Sequence, residues 1–212
     1  MDLNNIIGLL QGQDLQALTS KLGGDEAQVK SGLGLALPAI LEALNKNTNT
    51  PEGAESLNKA LEKDHDGSIL DNVTGFLNNP ESANGLGILG HLFGDKTPNV
   101  AQAVSKSSGL DQNNSMQLLM TVAPLVLGML GKQKKQNNLD ANGLNGLTSM
   151  LSSNLSQSNP DVMSLITGLL DSNKDGNFLD EALGMLGGLF GKKKKKKNDR
   201  RELNCFKIEK IC

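Results

Sequence analysis

Tryptophan and tyrosine are missing from this 212-residue chain, whose aromatic residues are five phenylalanines. That removes the best stacking platforms for single-stranded nucleic acid. Cysteine is nearly as scarce, with Cys205 and Cys212 both close to the C-terminal end. No disulfide can therefore staple the rest of the chain, and cysteine usage does not report the redox compartment. Alternating β-branched and aromatic runs, the mark of half-buried strands, are lacking, which argues against a sheet. The longest uncharged apolar stretch, residues 116–131, has 16 residues and contains Pro124. It falls short of the roughly 20 needed to span a bilayer and reads as a buried helix. The opening residues carry an acid at Asp2 and no basic stretch before the apolar positions, so no secretory leader is expected and the cytoplasm is the expected location.

What is abundant points one way. Leu, Ala, Met and Lys favour helix, and a hydrophobic fraction of 37% suffices for a packed core, so the fold class is all-α. The 24 glycines oppose helix, each by roughly 1 kcal/mol against alanine inside one. Several fall at helical spacing beside leucine, as in Gly87, Gly90 and Gly94, which predicts close helix contacts. Charge is unevenly placed. Residues 192–212 hold ten basic and three acidic residues, net +7, leaving −9 in residues 1–191. An acidic body disfavours nucleic acid binding by the folded part.

The chain also repeats itself. Residues 61–77 and 170–186 match at an offset of 109, pairing Asp66 with Asp175, Gly67 with Gly176, Asp71 with Asp180 and Gly75 with Gly184. Residues 21–44 and 107–130 match at an offset of 86, pairing Gly23 with Gly109, Asp25 with Asp111 and Pro38 with Pro124. Two blocks in one order imply a duplicated helical module, lengthened by 23 residues in its second copy. The expected organisation is a compact multi-helix bundle of two modules, residues 1–94 and 95–191, sharing one core, followed by a disordered Lys-rich tail, 192–212.

Local signals place the elements. Short amphipathic helices are expected over 2–22, ended by Gly23 and Gly24. Asp25 is a candidate N-cap for a long helix to about Asn47, with Pro38 inside it. Pro51 suits the first position of a helix to Lys63. A short helix to Asn78, a glycine-spaced helix over 80–94 and another over 98–108 follow. In the second copy, 132–160 reads as a marginal helix with polar flanks, and 160–170 and 177–191 as the last two helices.

The motif closest to chemistry is the acidic loop. Asp171, Asn173, Asp175, Asn177 and Asp180, with Gly176 at the sixth place, follow the spacing of a calcium loop up to its seventh position. Ala182 stands where the bidentate glutamate belongs, so Asp180 would have to substitute. The first copy offers Glu62, Asp64, Asp66, Ser68 and Asp71, with Val73 at the twelfth position. Any affinity should be weak, about 0.1 to 1 mM. The competing reading is structural: Ser68 with Asp71, and Asn177 with Asp180, are spaced as helix capping boxes after an Asp-Gly turn.

Nothing else suggests catalysis. The chain has no P-loop, no HExxH, no dinucleotide fingerprint and no nucleophile elbow, so no catalytic residue and no cofactor beyond possible Ca2+ is expected. His65 falls at the fourth loop position, pointing away from any ion, and His91 lies in an apolar helix. The six lysines from Lys192 to Lys197 suit salt-sensitive contact with an anionic surface, or a solvated tail. Such a run is also a place where a reading frame slips, and residues 198–212 fit an out-of-frame extension.

Taken together, LGG at 22–24, VKSGLGLALPAILEAL, PEGAESLNKAL, DGSILDNV, GILGHLFG and the SGLDQ to LLMTVAPLVLGMLGK segment resemble the bacterial family of domain of unknown function 937, itself related to YidB-like proteins. The resemblance covers residues 1–191. It implies a soluble, all-helical protein and no established activity, catalytic residue or cofactor. The expected role is a non-enzymatic one, contact with an unknown protein partner or self-association. The alternative is a weak calcium-responsive module.

Overall fold

The computed structural model describes residues 12–171, and all regular structure among them is helical. In chain order these are α1 (Gln13–Leu22), α2 (Glu26–Thr48), α3 (Pro51–Lys63), a 3-10 turn (Ser68–Asn72), α4 (Val73–Asn78), a second 3-10 turn (Pro80–Ala83) and α5 (Gly85–Phe93). A third 3-10 turn (Gly94–Lys96) leads to α6 (Thr97–Ser108), α7 (Gln112–Asn137), α8 (Ala141–Ser158) and α9 (Pro160–Leu170). The expected helix at 177–191 and the basic tail lie outside the described residues, as do residues 1–11 of the expected first helices.

The two long helices begin alike. Asp25 is extended, its carboxylate accepts from the Gln28 amide at 2.8 Å, and the Gln28 side chain accepts from the Asp25 amide at 3.0 Å, a reciprocal capping box. Asp111 accepts from the Asn114 amide at 2.9 Å. Each cap follows a glycine in the left-handed region, Gly23 at φ 66 and Gly109 at φ 76, which closes the preceding helix. The correspondence continues along both stretches. α1 and α6 end 86 residues apart, α2 and α7 start 86 apart, and α3 and α9 each open on a proline, Pro51 and Pro160, 109 apart. Only α8 among these later helices lacks a counterpart, and it falls within the extra 23 residues.

α2 and α7 form the centre. α2 packs against α6, α7, α8 and α9, and α7 against α2, α3, α5, α6 and the 3-10 turn at 68–72. The reason is apolar content: Leu33, Leu37, Ile40, Leu41 and Leu44 of α2 and Leu118, Leu119, Val122, Val126 and Leu130 of α7 are almost fully buried. They belong to one continuous apolar cluster with residues from every other described helix, to which α3 adds Leu61. Burying such a side chain is worth roughly 1.5–3 kcal/mol. By length and composition α7 could cross a membrane, yet 78% of its apolar window is covered by protein, as in a core helix.

Some local expectations are corrected. The stretch 80–94 is not one helix, because Asn84 sits at φ 50 and ends the turn at Pro80–Ala83 before its side chain caps α5. The polar stretch 132–160 divides: α7 runs on to Asn137, Asn138 at φ 49 stops it, and Asp140 caps a separate α8. Gly87 and Gly90 do not mark close helix contacts: a Cβ on Gly90 would meet nothing within 4 Å, and the atoms nearest one on Gly87 belong to its own cap, Asn84. Gly94 lies at φ 54, where α5 gives way to the third 3-10 turn. Close approach is found instead at Gly85, Gly128 and Gly131.

Candidate functional site

The first acidic loop joins α3 to the 3-10 turn at 68–72 and lies on α7. Its backbone approaches very closely: a Cβ on Gly131 would collide with the carbonyl of His65, and one on Gly128 with the side chain of Ile69. Gly67, at φ 99, turns the chain under that helix, 3.2 Å from the Gly128 carbonyl for an added Cβ. Only residues without side chains leave this room.

The loop acids are engaged. Lys134 donates to Glu62 at 2.8 Å and Lys135 to Asp66 at 2.7 Å, both from the last turns of α7. The second oxygen of Asp66 accepts from the Ser68 amide at 3.0 Å, an Asx turn. Lys134 holds the Glu62 carboxyl below its ordinary pKa, and Lys135 with Ser68 holds Asp66 well below it. Burial lowers the His65 pKa, with the Asp64 charge opposing. Asp64 caps the end of α3, while Ser68 and Asp71 are exposed on the 3-10 turn. The expected Ser68 to Asp71 capping box is not formed: Gly67 precedes the turn with no side-chain cap, and Asn72 caps α4 through the Gly75 amide at 2.9 Å. So the five residues cluster along the chain, but Glu62 and Asp66 face lysines rather than one another. Among the described residues no three His, Cys, Asp or Glu side chains stand close enough to hold an ion.

Of the second loop only Asp171 is described, half-buried at the end of α9 with its amide donating to Thr167 at 2.9 Å. Asn173, Asp175, Asn177 and Asp180 lie outside the described residues. Beside Asp171, the buried Lys96 donates to the Leu170 carbonyl at 2.6 Å, placing a cation at the negative end of α9.

At the positions of α2 that match Gly128, Gly131 and Lys134 stand Glu42, Asn45 and Thr48. There the inserted α8 docks through hydroxyls. Ser152 donates to Glu42, Ser149 donates to Asn45 at 3.0 Å, and the Thr48 and Thr148 hydroxyls meet at 2.7 Å. α8 thus covers on α2 the place that the acidic loop covers on α7. Lysines some 70 positions downstream escape a motif search, but the loss of both glycines between the matched helices was a readable signal of different neighbours.

A cleft of about 510 Å³ opens between the end of α1, the 78–86 connection and α7, lined among others by Lys21, Asn79, Asn84, Leu86, Gln117 and Met120. Lys21 donates to the Leu77 carbonyl at 3.2 Å across its base. Leu86 is 62% exposed, more than any other large apolar side chain described. His91 is exposed on α5. No titratable pair in nucleophile and base geometry lines the cleft.

No curated protein and no solved structure matches this chain. One family's sequence profile does, in two successive stretches, residues 4–133 and 134–203. With its all-helical fold and no assigned chemistry, the chain belongs to the family described as bacterial protein of unknown function (DUF937).

Proposed function

We propose that this is a non-enzymatic cytoplasmic protein that works by surface contact with a second copy or with another protein. The observation that carries the reading is Leu86, held out at the rim of a cleft whose walls are rich in Asn and Gln amides. Side-chain amides both donate and accept, which suits them to the peptide groups of a partner chain, and a projecting leucine supplies an apolar anchor. Light scattering across a concentration series, with capture from bacterial lysate alongside, tests it. Leu86→Asp should lower association or capture at least tenfold while leaving the melting temperature unchanged. Equal behaviour of the two proteins refutes it.

The second reading is the weak calcium loop at Asp171, Asn173, Asp175, Asn177 and Asp180. It is favoured by the order of those oxygen-bearing residues around Gly176, which follows the spacing of a calcium loop. A melting series with calcium and with chelator separates the two readings, because an ion bound to the native state alone raises the midpoint.

A further inference from the structure

Charge is spread along the described chain and then stops. Residues 12–140 hold 24 acidic and basic side chains, whereas residues 141–170, which make α8 and α9, hold one, Asp161 in the first turn of α9. The contrast reaches the surface. α3 exposes Glu52, Glu55 and Lys59, while the exposed stripe of α8 is Asn142, Gly146, Met150, Asn154 and Gln157, at helical spacing. Met150 is 57% exposed, and Leu165 of α9 is 49% exposed. The inner side of α8 holds the helix in place without them: Leu144, Leu151 and Leu155 are buried, and Thr148, Ser149 and Ser152 bond to α2.

Projecting apolar side chains among amides and hydroxyls, with charge depleted, are what the centre of a protein interface presents. Which protein it receives follows from charge. The described residues carry sixteen acids and ten bases, so a second copy is repelled where charged faces meet, and like charges in contact cost several kcal/mol. At α8 and α9 that repulsion is least. Amides and hydroxyls both donate and accept, so the face also complements itself, as a two-fold contact requires. We propose that the outer faces of α8 and α9 pair with the same faces of a second copy. The two helices, of 18 and 11 residues, run roughly 27 and 16 Å and are each about 10 Å across, a patch on the order of 500 Å² per copy that suits a weak, concentration-dependent dimer. This goes beyond the Leu86 reading and does not rest on it: it assigns the second copy to α8 and α9 and leaves the cleft rim for a different protein.

The test uses the full chain in reductant, so that Cys205 and Cys212 cannot link two chains, and follows sedimentation velocity over a concentration series. The parent should pass from monomer to dimer as concentration rises, and the dimer should survive about 1 M sodium chloride, where charge contacts are screened beyond about 3 Å. Met150→Asp with Leu165→Asp should weaken the dimer roughly tenfold or more, with the melting temperature of dilute protein unchanged, and Leu86→Asp should leave it intact. Mixed with Met150→Lys and Leu165→Lys in one chain, the aspartate double variant should form a heterodimer that salt dissociates, a recovery that a merely structural role of these residues would not give. A parent that stays monomeric, a parent dimer that salt or Leu86→Asp abolishes, an aspartate double variant that dimerises like the parent, or a mixture that stays monomeric overturns the proposal.

Discussion

Gly131→Ala and Gly146→Ala are the same change at helix-interior positions with opposite surroundings. In an exposed helix the substitution stabilises by roughly 0.5–1 kcal/mol, because glycine loses more backbone freedom on folding. Gly146 lies within α8, is exposed, and a Cβ there would touch nothing within 4 Å, so the full gain is expected. Gly131 lies within α7, but its Cβ would enter the space of the His65 carbonyl and come within 3.2 Å of the Asp66 carbonyl carbon. Backbone atoms of a loop pinned through Glu62 and Asp66 cannot rotate aside as a side chain does. Overpacking costs about 1–3 kcal/mol, and a collision with backbone atoms takes the upper part of that range, about 2–3 kcal/mol, which against a helix gain of about 1 kcal/mol leaves a net loss of roughly 1–2 kcal/mol. For a chain of this size, 1 kcal/mol moves the midpoint by about 2–4 °C. Thermal unfolding followed by circular dichroism should place Gly146→Ala about 1–4 °C above the parent and Gly131→Ala about 2–8 °C below it. If Gly131→Ala matched or exceeded the parent, the docking of the acidic loop on α7 would be refuted.

Three further outcomes follow from the same contacts. Burial lowers the His65 pKa, so the unfolded chain binds more protons between that value and the unfolded one near 6.5; stability from this group is complete above 6.5 and falls as pH drops through the folded pKa. His65→Gln should flatten the midpoint between pH 7 and pH 5. Thr48→Val or Thr148→Val alone removes the hydroxyl–hydroxyl bond while the hydroxyl that remains keeps the carbonyl four residues earlier, so each should destabilise by about 1 kcal/mol in urea unfolding, and the double variant should cost less than the sum of the two. Ser152→Ala removes a donor from the buried Glu42 carboxylate and should cost about 1–3 kcal/mol in the same assay, with a near-neutral outcome ruling out the polar seam as the dock of α8.

Local chemistry made much of the fold legible. Asp25 and Pro51 mark helix starts through groups within a residue or a turn of them, and the uncharged apolar run at 116–131 marks the buried part of α7. What escaped depends on partners distant in sequence. Gly90 and Gly131 look alike beside leucine, yet one faces solvent and the other a loop carbonyl, because contact is decided by what packs across the helix. Glu62 and Asp66 have the spacing of ion ligands, and only the fold brings Lys134 and Lys135 to them. Asn84 and Asn138 at positive φ ended helices that composition alone would have continued.

The account rests on α2 and α7 sharing one core, so that the two helices fold as one unit. Native-state hydrogen exchange across a denaturant series measures this directly. The buried amides of 33–44 and 118–130 should exchange through one global opening, with equal free energies and equal denaturant slopes. Separate openings, with one helix losing protection while the other keeps it, would contradict the account.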